Sequence, residues 1–97
     1  MTSRQRAYLR SLAMNITPIY QIGKSSLTPD VTAALDEALA ARELIKIHVL
    51  QNCGDDPKML GEAAAGRTRS QLVEVIGNMI VLYRPAKDEK KRKIILP

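Results

Sequence analysis

Ninety-seven residues, 45% of them hydrophobic and 26% charged, predict one domain with one core, near the small end of what folds without covalent staples. The longest apolar runs, such as Met79–Tyr83, fall far short of the roughly 18 residues that cross a bilayer, the basic N-terminus lacks the apolar stretch of a signal peptide, and the single Cys53 excludes an internal disulfide, so a cytoplasmic protein with no membrane partner is expected. The net charge of +5 sits at the two ends: residues 1–24 carry four cations and no acid, 25–66 sum to −4, 67–84 to +2 and 85–97 to +3.

The first helix is expected over Ser3 to Met14, with Thr2 as cap and Gln5 three residues on as a capping box. Tyr8, Leu9, Leu12 and Ala13 form its apolar stripe, and Arg6 and Arg10 share a face one turn apart. "TPIYQIG" reads as a short strand entering a turn. The next helix has a clear start, since Thr28 is a good N-cap, Pro29 suits the first helical position and Asp30 complements the positive end of the dipole. Val31, Leu35 and Leu39 give it one buried face. "ELIKIHVL" alternates as a strand, with Ile45, Ile47 and Val49 on one face and Lys46 and His48 on a polar one.

"GDDPKMLGEAAAG" repeats the helix-start pattern, with Asp56 as cap, Pro57 first and Gly66 as stop; Gly61 inside it costs about 1 kcal/mol relative to alanine and makes this the weakest helix. "SQLVEVI" and "MIVLYRP" are two strands joined by a Gly77-Asn78 hairpin turn. The order α-β-α-β-α-β-β predicts an α/β protein of the two-layer α+β type, a four-stranded mixed sheet backed by helices, with a right-handed crossover. Residues 1–86 form the domain and 87–97 a charged, mobile tail whose last apolar residues dock.

The basic ends and a sequence pI near 9.7 favour a polyanionic partner, nucleic acid above all; solubility alone is the plain alternative. No catalytic constellation stands out. "QIGKSS" lacks the upstream glycine of a nucleotide-binding P-loop, with Ile19 where it should stand. His48 and Cys53 are the only Cys-His pair and read as structural, and no second His or Cys completes a zinc site. No cofactor and no small-molecule substrate are therefore expected. With no Phe or Trp and three tyrosines in apolar segments, a base-stacking platform is disfavoured, which leaves phosphate contact with folded or double-stranded nucleic acid.

The turn Gly23-Lys24-Ser25-Ser26 suits that role. A glycine turn ahead of a helix N-terminus offers backbone amides, Lys24 a mobile cation and the serines two hydroxyls to an anion. A plain strand-to-helix connection with an incidental lysine fits the motif equally well. Arg4, Arg6 and Arg10 would extend the basic surface, with Lys46 and His48 as further additions; Arg84 and the "KKRK" run would add nonspecific attraction.

Taken together, "RQRAYLRSLA", "PIYQIGKSSLT", "ALDEALAARELIKIHVLQNC", "GRTRSQLVEVIGNMIVLYRP" and the terminal "ILP" resemble the YhbY family of small bacterial stand-alone CRM-domain proteins, in order and over essentially the whole chain. The resemblance implies a CRM RNA-binding domain similar in fold to the C-terminal domain of translation initiation factor three. It further implies association with precursors of the large ribosomal subunit, a 23S-type ribosomal RNA as partner, and no enzymatic activity. It places a G-x-x-G RNA-contacting loop on Gly23, Lys24, Ser25 and Ser26. Ser26 departs from the family's second glycine, which implies a loop of different shape or a weaker phosphate grip. A monomer is expected. Two other readings stay open at this level: an adaptor whose acidic middle binds a ribosomal protein or assembly factor, and a DNA-binding protein of similar fold.

Overall fold

The computed structural model describes residues 1–97 and builds the expected element order: α1 (Ser3–Ala13), β1 (Tyr20–Ile22), α2 (Pro29–Arg42), β2 (Leu44–Val49), α3 (Pro57–Thr68), β3 (Gln71–Ile76) and β4 (Met79–Tyr83), with single 3-10 turns at Gln51–Cys53 and Glu89–Lys91. The sheet is mixed, in the order β1-β2-β4-β3. β1 runs parallel to β2, with Ile22 opposite Val49, while β2 with β4 and β4 with β3 pair antiparallel. No helix is long and apolar enough to cross a membrane.

The caps account for the starts of α1 and α2. Thr2 and Gln5 close a complete capping box at α1, and the Thr28 hydroxyl accepts the Val31 N–H with Pro29 in the first turn of α2. Asp56 occupies the cap position of α3, but its carboxylate bonds no backbone N–H of that helix. Gly66 does not stop α3, contrary to expectation. The helix continues to Thr68, whose hydroxyl donates to the Ala64 carbonyl, and ends on Arg69 in the left-handed region at φ 56°. The Arg69 and Ser70 N–H groups both turn back to the Ala65 carbonyl, a closure that supplies what a glycine cap would have given.

Alternation on β2 and β4 divides the core between the two faces of the sheet. Ile45, Ile47, Val49, Ile80 and Leu82 meet Leu35 and Leu39 of α2 and Leu60, Ala64 and Ala65 of α3. Leu44, Val81, Tyr83 and Val73 meet Leu9 and Ala13 of α1 on the other face. β4 is thus buried on both sides. Gly61 explains itself here, because a Cβ at that position would stand 2.9 Å from Leu72 Cδ1; the residue is the price of bringing α3 close to the sheet. Gly77 opens the β3–β4 hairpin at φ 55°, where a side chain would be strained.

β3 carries a register irregularity between Leu72 and Glu74. Arg6 Nη1 donates to the Leu72 and Val73 carbonyls at 2.7 Å each and so fastens α1 to the bulge of this edge strand.

The segment after β4 is anchored by Glu43, a residue the sequence did not single out. Glu43 caps α2 at φ 64° and is buried. Its Oε2 accepts the Ala86 N–H at 2.9 Å, and its Oε1 accepts the N–H groups of Lys93 at 2.5 Å and Ile94 at 3.2 Å. Lys93 Nζ reaches the Ala41 carbonyl at 3.1 Å, and Ile94 and Leu96 pack against the α1 side of the core. Burial is the largest influence on the Glu43 carboxyl and pushes its pKa up, but the three N–H donors and the Arg92 charge outweigh it and hold the pKa below the usual value.

Candidate functional site

The end of β1 delivers the chain into the turn Gly23–Ser26, which the Ser26 N–H closes on the Gly23 carbonyl at 2.9 Å. Gly23 is not the strained residue. It has no positive φ, and a Cβ there would only touch Asn52 and Leu50 at 3.6 Å, so the turn makes no use of the conformational freedom a glycine would bring to this position. The left-handed residue is Ser26, at φ 57°, the position where the family pattern has its second glycine. A serine therefore holds the conformation at a strain cost of about 1 kcal/mol. Its hydroxyl is already spent on the Asp55 carboxylate, which ties the turn to the start of α3 and removes Ser26 from the set of free donors.

What remains available is a compact set of donors. Lys24 and Ser25 are exposed, and the N–H groups of Lys24, Ser25 and Leu27 have no acceptor within the chain. They lie immediately ahead of α2, whose N-terminal dipole adds partial positive charge. Beside the turn a cavity of about 300 Å³ is floored by Leu27, Leu60 and Ala63 and edged by Ser25, Asp55 and Arg67.

The other predicted residues are dispersed. α1 covers the end of the sheet where β2 begins, at Leu44, whereas the turn adjoins Val49 at the other end. Five residue steps of about 3.3 Å put these ends roughly 16 Å apart, and α1 lies on the opposite face from α2. The structure does not bring Arg4, Arg6 and Arg10 together with Lys24. Arg4 and Arg10 are exposed, while Arg6 is half-buried on β3, the edge opposite β1. Lys46 and His48 are half-buried on the α1 side of β2. Arg84 is not a free surface cation: it pairs with Asp36 at 2.5 Å and donates to the Thr68 and Asp36 carbonyls. Cys53 is buried in the larger core cluster, and no three His, Cys, Asp or Glu side chains are grouped to hold a metal.

Residues 1–84 match the CRS1 / YhbY (CRM) domain. The chain belongs to this family. Among curated relatives, "Probable RNA-binding protein YqeI" of Bacillus subtilis is 47% identical over 94% of the chain and 95% of its own length. An "RNA-binding protein" of Haemophilus influenzae is 31% identical over 93% of the chain and 91% of its own length. The solution structure of the hypothetical protein SAV1595 from Staphylococcus aureus superposes with a TM-score of 0.83 at 52% identity, covering 100% of this chain and 99% of that one. CRM membership agrees with the resemblance seen in the motifs and with the α-β-α-β-α-β-β order.

Arg67 and Arg69 were missed at the sequence level. A hint was present in "GRTR", two arginines flanking the end of α3, but only the fold shows that Arg67 lines the cavity beside the turn.

Proposed function

We propose that this protein binds structured RNA through its sugar-phosphate backbone, without catalysis, and acts on precursors of the large ribosomal subunit. The observation that carries the RNA reading is the segment Gly23–Leu27: an exposed lysine and the N–H groups of Lys24, Ser25 and Leu27 without acceptors, just ahead of the positive end of α2. A phosphate oxygen accepts from such donors without any change of fold, and each such contact displaces counterions from the RNA. The names of the curated relatives, RNA-binding proteins at 31% and 47% identity, support the same class of ligand. The large-subunit assignment rests on the family resemblance read from the motifs.

Sedimentation of cell extract on a sucrose gradient tests both parts, with wild type followed beside Lys24→Glu. Wild type should travel with large-subunit precursors and the variant should stay at the top. If both co-sediment equally, the turn is only a connector. If wild type binds purified ribosomal RNA yet never joins a particle, RNA binding stands and the ribosomal assignment falls.

A further inference from the structure

A second cavity, of about 830 Å³, opens where α2 and α3 approach the segment after β4. Five cations line it, Arg67, Arg69, Arg84, Lys87 and Lys91, against two carboxylates, Asp36 and Asp88. Asp36 pairs with Arg84, and Asp88, whose Oδ1 accepts the Lys90 N–H at 3.0 Å, keeps one negative charge against the four unpaired cations, which leaves the lining at a net +3. The side chains of Arg69, Lys87 and Lys91 are exposed and make no hydrogen bond within the chain. Arg67 uses Nη1 on the Leu27 carbonyl at 3.1 Å, which leaves the rest of its guanidinium fork free.

Arg67 lines this groove and also the cavity beside the Gly-Lys turn, so the two concavities share one arginine. The groove's far wall is held in place by Glu43, whose carboxylate fixes the N–H groups at residues 86 and 93 and so frames the stretch that carries Lys87 and Lys91. Unpaired like charges collected in a concavity focus potential and attract a polyanion.

We propose that this groove is a second RNA-backbone site, continuous with the turn, so that one RNA strand runs from Lys24 past Arg67 to Arg69, Lys87 and Lys91. The inference rests on the RNA reading given above and adds to it a path and an occupant for the segment after β4. It also moves the larger part of the basic interface from α1 to the α2–α3 side of the sheet.

The test measures affinity for purified large-subunit ribosomal RNA across a salt titration with the full chain. The main variant is Lys87→Gln with Lys91→Gln, which breaks no hydrogen bond of the fold; Arg67→Gln with Arg69→Gln is the second. A phosphate contact changes the slope of log affinity against log salt by about 0.8 and is worth roughly sixfold at 0.1 M salt relative to 1 M, so losing two costs roughly 40-fold. Either double variant should lower the slope by about 1.6, and its loss should add on the logarithmic scale to that of Lys24→Glu. Arg42→Gln with Lys58→Gln removes the same charge outside the groove and should leave the slope at the wild-type value.

If Lys87→Gln with Lys91→Gln binds like wild type while Lys24→Glu is defective, the groove is off the RNA path and this inference falls alone. If the control pair lowers the slope as much as the groove pair, the attraction is diffuse and the groove is no site. If wild type itself does not bind, the RNA reading fails and the groove site with it.

Discussion

Replacing Glu43 by glutamine tests how the segment after β4 is held. The carboxylate accepts three backbone N–H groups, from Ala86, Lys93 and Ile94. A glutamine amide presents a donor where one oxygen stood, so one of those N–H groups loses its acceptor, at about 1–3 kcal/mol, and the remaining bonds fall from charge-assisted to neutral strength, a further loss of roughly 1 kcal/mol. Opposing this, an amide is less costly to bury than a carboxylate. The direction of the Glu43 pKa decides which effect wins: it lies below the usual value although burial, the largest influence, raises it, so the fold favours the anion on balance. A net loss of about 2 kcal/mol in a domain of this size lowers the melting temperature by roughly 8–16 °C.

Because the folded pKa is depressed, this stabilisation is present above the unfolded value of about 4.3 and is lost as pH falls through the folded one. Thermal melts by circular dichroism should show wild type losing stability through that acid window while Glu43→Gln, already lower, changes less there. Amide exchange at Lys93 and Ile94 should speed up in the variant. A variant that melts within 2 °C of wild type, a shift worth about 0.5 kcal/mol or less, with both amides equally protected, would refute the anchoring role.

Three further outcomes follow from single sites. Gly61→Ala gains about 1 kcal/mol of helix propensity but sets a Cβ 2.9 Å from Leu72 Cδ1 and 3.4 Å from Ile80 and Val75, so urea unfolding should show a net loss of about 1 kcal/mol; a gain would mean Leu72 yields freely. Ser26→Gly and Ser26→Ala both lose the hydroxyl bonded to Asp55, so their difference reports the left-handed backbone alone, and the glycine variant should be the more stable by about 1 kcal/mol in the same assay. Burial and the Glu43 charge raise the Tyr83 pKa, with Arg92 lowering it, so the folded state should lose stability above about pH 10, where the unfolded tyrosine ionises. Absorbance titration of Glu43→Gln should find the Tyr83 pKa lower than in wild type.

The elements that could be read along the chain are those whose causes lie within a few residues. Thr2 with Gln5, Thr28 with Pro29 and the Ile45-Ile47-Val49 face of β2 each act over one turn or one strand and stand where expected, whereas the opposite face of β2, expected to be polar, is covered by α1 over Leu44. The end of α3 was misplaced because a glycine cap was only one way to close it. The closure used depends on Thr68 and Ser70, and on the Arg84 guanidinium that the Thr68 carbonyl accepts across the fold. Glu43 could not be read at all, since its three donors lie 43 to 51 positions along the chain.

The same distinction governs the candidate site, because a sequence counts cations without showing which are already spent. Arg6 and Arg84 looked like free charge and are bound to carbonyls of β3 and α3 and to Asp36. Arg69 and Lys87 are not singled out by the sequence, and Lys91 counts there only as part of the nonspecific KKRK run, yet the three side chains carry no internal bond and share one concavity. For a ligand bound through phosphates the free cations are the ones that count, since a guanidinium already matched to a carboxylate releases no further counterion. Arg84 is therefore the useful contrast within the groove. Arg84→Gln should cost stability, by freeing Asp36 and the Thr68 carbonyl, and leave the salt slope of RNA binding nearly unchanged, whereas Arg69→Gln should do the reverse. If Arg84→Gln lowers the slope as much as Arg69→Gln, the internal ion pair opens on binding, and internal bonding is no guide to which cations meet RNA.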